Sequence, residues 1–505
     1  MASSERFDIL IVGAGAAGAV LARRLSEGGQ RSVALVEAGP DPQEIPPDIR
    51  DGTRNSMKAH DWGFAHRSRP ESSPMMYPRG RIVGGSSAVN TCIALRGQRY
   101  DFDEWGLPGW TWDECLDAFR SIETDHDFPE GDVHGHEGPI PVRRHTPEEL
   151  VPWQAAFIDA AQSLGFESCD DHNDLSKTGV GPHAMNKING ERMNAARCYL
   201  DDKVRARSSL TIFADSHVRR VLFEGQRAVG VEVEHRGEVV QHFAKEVVLS
   251  GGAIGTPGIL IRSGVGPRAQ LERLGVDLVM DAPVGARLLD HPGVTMFMLA
   301  KPGVVRLSDP LIQTALRYTA RNSTYKDEMQ LQPGSFVPLP SGDAPLVMIM
   351  TSIGKPSGEG RIFFESADPH ARPRIESDFL LEPDDLEKAC EAMELAWLCA
   401  SSPAMRELAT FAAPSERMFS SRKALREWIP RQTGSGYHPC GTVKMGEASD
   451  PLAVTDERGR VRGVEGLYVA DASLFPTVPS SNTHFPTLML GERFAQFFAD
   501  GLTSV

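Results

Sequence analysis

The spacing of apolar and polar positions predicts a series of elements along the 505 residues. Residues 7–12 (FDILIV) are a short, nearly continuous apolar run, the pattern of a strand buried on both faces. The run stops at Gly-Ala-Gly-Ala-Ala-Gly (13–18). Residues 19–27 then take a helical period, with Val20, Leu21 and Leu25 on one side, and Gly28-Gly29 end it. Residues 32–36 predict a second strand, which ends in Glu37. Farther along, 154–164 predict a helix, and 227–234 (RAVGVEVE) and 246–250 (EVVLS) predict strands separated by a polar turn. The runs 346–351 (LVMIMT) and 360–365 (GRIFFE) predict strands of a second region, and 384–399 an amphipathic helix. Residues 466–470 (GLYVA) form a buried strand ending at Asp471, and a closing helix runs from about 487 to 499. Pro-, Gly- and Asp-rich stretches at 39–54 and 124–141 read as long loops.

Strands at the start, middle and end that suit one sheet predict an α/β protein with a discontinuous cofactor domain, interrupted by a second region at about 291–435. The first forty residues supply strand, glycine turn, helix and strand, the required context of a dinucleotide fingerprint. Gly13 permits the tight turn, Gly15 lets the backbone approach a pyrophosphate, and Gly18 lets the helix pack on the strand. With Ala17 they form the candidate phosphate cradle, at a helix N-terminus whose free N–H groups and partial positive charge favour anions. Glu37 stands where a carboxylate accepts hydrogen bonds from ribose hydroxyls, which argues against the 2′-phosphate of NADP. The fingerprint does not separate FAD from NAD.

Composition narrows the class. Hydrophobic residues at 41% and charged residues at 24% are ordinary for a globular protein and exclude disorder as the main state. The formal charge of -15 repels phosphate backbones, so no nucleic-acid partner is expected. Seven cysteines (Cys92, Cys115, Cys169, Cys198, Cys390, Cys399, Cys440) include no Cys-x-x-Cys pair, which argues against a disulfide framework or a structural zinc and for a reducing compartment. Residues 9–22 look like the apolar part of a signal peptide, but Glu5 and Asp8 precede them where positive charge is needed, and Arg23-Arg24 come after. No run of 18 apolar residues predicts a spanning helix, so a cytoplasmic protein is expected.

Three segments carry candidate chemistry. In PRGRIVGGSSAVNTCI (78–93), two glycines and two hydroxyl residues make a loop whose backbone can press against a flat or anionic ligand. In YHPCGTVKMG (437–446), Pro439 biases His438 towards extended backbone. In SSNTHFPT (480–487), His484 stands two residues before Pro486. The pair His134 and His136 in HGHEG reads as a solvated loop, and no metal site is expected. By themselves the residues give a dinucleotide oxidoreductase with two candidate histidines.

The chain resembles the glucose–methanol–choline (GMC) oxidoreductases, a flavoprotein family, from residue 7 to about 498. The resemblance is carried by GAGAAG (13–18), DWGF (61–64), PRGRIVGGSSAVN (78–90), GERMNAARCYL (190–200), SGGAIGTPGILIRSGVG (250–266), LDHPG (289–293), YHPCGTVKMG and GLYVADASLFPTVPSSNTHFPT (466–487), in order. It implies FAD as the cofactor. It also implies a discontinuous Rossmann-like FAD-binding domain (1–150, 186–290 and 436–505) with a second, α+β substrate domain built on an antiparallel sheet (151–185 and 291–435). On this resemblance Gly13, Gly15, Ala17, Gly18 and Glu37 hold the ADP half. Val218 contacts adenine through its backbone; Val83, Gly84, Ser87 and Asn90 line the pyrophosphate and isoalloxazine; and Asp471 meets the pyrophosphate or ribityl chain. His438 and His484 face flavin and substrate, His438 as base and His484 as orienting partner, with the reverse assignment open. Some members carry a flavin-linking histidine where this chain has Val89, so non-covalent FAD is expected. The implied reaction is oxidation of an alcohol, here a small aromatic or furanic primary alcohol, by hydride transfer to flavin N5 with O2 as acceptor. The alternatives are a dehydrogenase that uses a quinone-type acceptor and an FAD-containing hydroxynitrile lyase. The apolar segments LVMIMT and Met296-Phe297-Met298 motivate the substrate class, against the simpler reading that they are core.

Overall fold

The computed structural model describes residues 6–56, 59–306, 308–337 and 345–499. Glu5 and the outer ends of the expected domains lie outside these. Two sheets organise the chain. In the first, the spatial order is Leu210–Phe213, Val33–Val36, Arg6–Val12, Glu238–Leu249, Arg227–His235 and Ser216–Glu224, with Leu467–Val469 also beside Glu238–Leu249. Its first three strands and Leu467–Val469 run parallel to the Glu238–Leu249 strand, in a register that puts Val12 beside Val36 on one side and Leu249 on the other. Five strands therefore finish at one edge, where ligands of open α/β sheets bind.

The turn expected between 234 and 246 is shorter than the polarity suggested. Strand Arg227–His235 pairs with Glu238–Leu249 through a two-residue turn at Arg236 and Gly237, both at positive φ (51° and 85°). The residues read as turn, 238–245, are an outlying half-strand with only Ala244 buried, so their side chains carry no core pattern.

In the second sheet the order is Ala409–Ala413, Pro292–Ala300, Leu346–Ile353, Met329–Gly334, Thr314–Tyr318 and Gly179–Pro182, every pairing antiparallel. Helices Pro383–Ala400 and Pro152–Ser163 cover one face and share its core: Met296, Met298, Val347, Ile349 and Leu331 pack with Trp153, Phe157 and Met393. The alternation of the strands turns Thr295, Phe297, Met348 and Met350 to the other face. The segment Met296-Phe297-Met298 thus divides, with both methionines in the core and Phe297 outside it.

The closing helix begins earlier than expected, at His484 (His484–Ala499), and the first helix spans Ala16–Leu25. They cross closely. A Cβ on Gly491 would lie 3.0 Å from Val20 Cβ and 3.2 Å from Ala17 Cα. Glu492, buried, accepts from Arg24 Nε at 2.8 Å and Tyr199 Oη at 2.9 Å, tying the two helices to a third segment.

The loop reading of 124–141 requires a correction at its centre. His136 is exposed, but His134 is buried, with Nδ1 3.0 Å from Glu123 Oε1 and 3.1 Å from Asp125 Oδ2, and Nε2 2.8 Å from Asp171 Oδ2. Both ring nitrogens meet carboxylates, so both donate and the ring is an imidazolium with no lone pair to offer a metal. Burial opposes that charge, but the bonds to Asp125, Asp171 and Glu123 overcome it and raise the pKa to about 10. Arg96 pairs with Glu123, and Arg144 with Asp125 (2.9 Å) and Asp171 (2.5 Å). Three buried carboxylates face two guanidiniums and one imidazolium, so the cluster closes electrically.

Candidate active site

A cavity of about 840 Å³ runs from the first helix to the flank of the second sheet. Its volume is at the upper end for small-molecule sites. At its deep end, Gly13 takes φ 98°, and a Cβ there would sit 2.4 Å from Ser250 O. Gly18 is as constrained: its Cβ would come within 1.9 Å of Gly13 O. Gly15 is the opposite case, for a Cβ on it would meet nothing within 4 Å. Gly15 and Ala17 line the cavity, so the helix N-terminus opens on empty space of the kind an anion fills. Glu37 is buried at the cavity wall and accepts from Ala14 N–H (2.9 Å) and Gly39 N–H (2.8 Å). Each carboxylate oxygen keeps a further lone pair for a hydroxyl. Burial raises its pKa, partly offset by these N–H bonds. Asp471 is also buried on the cavity wall and accepts from Gly252 N–H (2.8 Å) and Thr256 Oγ1 (2.6 Å), which holds the start of helix Gly252–Arg262 against it.

Of the other expected cofactor residues, Ser87, Asn90 and Val218 reach the cavity. Val83 and Gly84 do not line it: Val83 packs in the core, and Gly84 donates its N–H to Ala14 O at 2.8 Å, which brings the two glycine loops together. Gly85 and Ser86 take the wall positions instead, and Val89 stands beside them. A glycine-lined anion cradle and a buried acid fit a dinucleotide such as FAD.

The opposite end holds the histidines. His438 and His484 both line the cavity, as do Phe297, Met348 and Met350 from the second sheet. His438 Nε2 lies 3.0 Å from Asn482 Nδ2, and its Nδ1 lies 2.9 Å from His291 Nδ1. His484 Nε2 is buried with no hydrogen-bond partner among the described residues, as is Asn482 Oδ1. Orphaned buried polar atoms facing a cavity are what an absent ligand would satisfy. Burial pushes His484 down to about 4 and His291 to about 4. It pushes His438 well below the ordinary range, with His291 and Arg79 adding to the effect. All three rings are neutral near pH 7.

The side-chain direction of His438 comes from more than its proline. Asp290 Oδ1 accepts from the backbone N–H of His291 (2.7 Å) and of His438 (2.8 Å), and its Oδ2 takes Tyr77 Oη and Ser435 Oγ. Tyr437, just before His438, is held at φ 64°, a strained value for a bulky residue, and its carbonyl takes Arg79 Nη2 at 2.7 Å. Asn482, His291 and Asp290 escaped the sequence reading. The one available signal was their place in segments already singled out, SSNTHFPT and LDHPG.

A glycine cradle and a pair of neutral histidines at the two ends of one cavity define a dinucleotide-dependent oxidoreductase that works on a small molecule. Two family profiles, both described as GMC oxidoreductase, match residues 7–293 and 356–491. The chain is 35% identical to the 5-(hydroxymethyl)furfural oxidase of a Methylovorus species, covering 97% of this chain and 98% of that one. It is 32% identical to the oxygen-dependent choline dehydrogenase of Photobacterium profundum, over 97% and 92%. Among solved structures, the pyridoxine 4-oxidase from "Mesorbium loti" superposes with a TM-score of 0.90 at 30% identity, over 98% and 99%. The chain belongs to the GMC oxidoreductase family: it is an FAD-dependent enzyme that acts on alcohols.

Proposed function

We propose that this enzyme oxidises a small aromatic or furanic primary alcohol to its aldehyde, with O2 as the electron acceptor and FAD held without a covalent bond. The observation that carries the reading is the meeting, in one cavity, of a neutral His438 and an unpartnered His484 Nε2 under the apolar wall of Phe297, Met348 and Met350. The alcohol displaces Asn482 Nδ2 from His438 Nε2, which then takes the hydroxyl proton. His484 Nε2 donates to the same oxygen and stabilises its developing negative charge. The apolar wall excludes water and receives a flat ring. FAD held along Gly13, Gly15 and Glu37 would supply what neither histidine has, a hydride acceptor for the carbon-bound hydrogen and a route for the electron pair to O2. The names of two similar proteins, a furfural oxidase and a pyridoxine oxidase, support both the ring-bearing substrate and the acceptor. Val89 at the cavity wall has no nucleophile, which supports dissociable FAD.

The test is anaerobic mixing with furanic and benzylic alcohols and with choline, followed by air. Bleaching by the ring alcohols and recolouring in air with release of peroxide is the expected result. Recolouring only with a quinone would make the enzyme a dehydrogenase. Bleaching by choline alone would overturn the substrate class, and no bleaching by any alcohol would favour a lyase.

A further inference from the structure

His291 is fully enclosed, and its two ring nitrogens have different partners. Nε2 lies 2.8 Å from the carbonyl oxygen of Pro479, which can only accept, so Nε2 carries a proton. A neutral His291 then has a bare Nδ1. That nitrogen lies 2.9 Å from His438 Nδ1, and the contact holds only if His438 Nδ1 bears the hydrogen. His438 Nε2 is therefore the bare nitrogen, and Asn482 Nδ2 donates to it at 3.0 Å. One carbonyl, through one intervening ring, settles the tautomer of the base.

We propose that His291 is a positioning residue for alcohol oxidation: it holds His438 in the Nδ1–H tautomer, so that an unprotonated Nε2 faces the substrate. This rests on the reading of His438 as base. When Nε2 takes the alcohol proton, His438 becomes an imidazolium whose Nδ1–H still donates to His291, a bond that strengthens with the charge. The partner is neutral. Asp290, the nearby carboxylate, is engaged by two backbone N–H groups and two hydroxyls, and touches no imidazole nitrogen among the described residues. A neutral acceptor orients the base without raising its proton affinity as a carboxylate would. The charged and titratable groups around the pair are Asp290 and Tyr77, Arg79 behind His438, and Lys355 towards His291.

The experiment uses the FAD-loaded enzyme and four variants. His291→Leu removes the acceptor. His291→Asn places an amide oxygen near the Nδ1 position. His291→Asp introduces a charge, and His438→Ala is the control. In rapid mixing, His291→Leu is expected to slow anaerobic flavin reduction about ten-fold or more, the scale of one lost orienting hydrogen bond, with little change in KM, and His291→Asn to recover most of it. His291→Asp is expected to move the rise of kcat/KM to higher pH. Nitrogen-15 NMR of histidine-labelled protein is expected to show His438 protonated at Nδ1 in the native chain and mixed between tautomers in His291→Leu. If His438→Ala slows reduction but His291→Leu does not, or if NMR shows His438 protonated at Nε2, the role of His291 is overturned. If His438→Ala leaves reduction unchanged, the reading of the base itself fails. Should His291→Leu not fold, the His291→Asn and His291→Asp pair decides through the pH profile: an unmoved profile in His291→Asp overturns the proposal.

Discussion

Two buried histidine clusters in this chain reach opposite charge states. His134 lies among three carboxylates and is held as a cation, its pKa raised to about 10. His438 is half-buried at the cavity wall; its ring meets another imidazole and an amide, and desolvation pushes it well below the ordinary histidine range. Desolvation alone disfavours charge in both places. The deciding term is whether a carboxylate touches the ring. Asp290 is close enough to have done so beside His438, but its lone pairs are taken by N–H and O–H donors. The same residue type thus serves as a structural cation in one place and as a neutral base in the other.

The sharpest way to break this contrast is His438→Ala. Flavin reduction by the alcohol is expected to fall about 10²–10⁴-fold, the usual contribution of a positioned general base, as stopped-flow absorbance would measure. In the native enzyme kcat/KM is expected to rise with pH and to level off already below pH 6.5, because a base whose pKa is lowered stays unprotonated into the acid range. A plateau reached only above pH 7 would contradict the neutral, carboxylate-free environment. Next in size is His134→Gln, which leaves buried carboxylates short of one cation and is expected to destabilise the fold by about 3–5 kcal/mol without altering the chemistry of the FAD-loaded fraction. The sign follows from the raised pKa. The imidazolium stabilises fully below its unfolded value of 6.5, and this is lost as pH rises towards about 10. The gap in thermal midpoint between native and variant should therefore narrow over that range; a constant gap would mean that His134 is neutral.

His484 separates hydrogen bonding from proton transfer. His484→Asn retains a donor and should slow reduction less than His484→Ala, which loses it. If His484→Ala abolished reduction while His438→Ala left it nearly normal, the two roles would be exchanged. At the far end of the cavity, Glu37→Ala removes a charged acceptor, each of whose hydrogen bonds contributes about 1.5–3 kcal/mol, and frees Ala14 and Gly39 N–H groups in the glycine turn. FAD is expected to dissociate on gel filtration, while any flavin retained is reduced at the native rate. Smallest of all is the effect of acid precipitation, which should leave no flavin in the pellet because Val89 offers no linking atom.

Much of this was legible along the chain, and for a local reason. Strand, glycine turn, helix and Glu37 are contiguous, so their geometry is written in neighbouring residues and needs no distant partner. The apolar run LVMIMT likewise announced a strand, and His438 and His484 stood in recognisable segments. What the sequence left open was every property that depends on a contact across the fold. His134 was read as solvated because its three acids come from positions 123, 125 and 171, and residues 238–245 as a turn because an outlying half-strand buries almost nothing. Met296, Phe297 and Met298 looked alike until the second sheet set which face met helices and which met the cavity. The protonation of His438 is the extreme case. The residue and its proline were visible from the start, but the proton on Nδ1 is set by a ring 147 positions away and a carbonyl beyond it, because a hydrogen bond fixes a tautomer only once both partners are held in place.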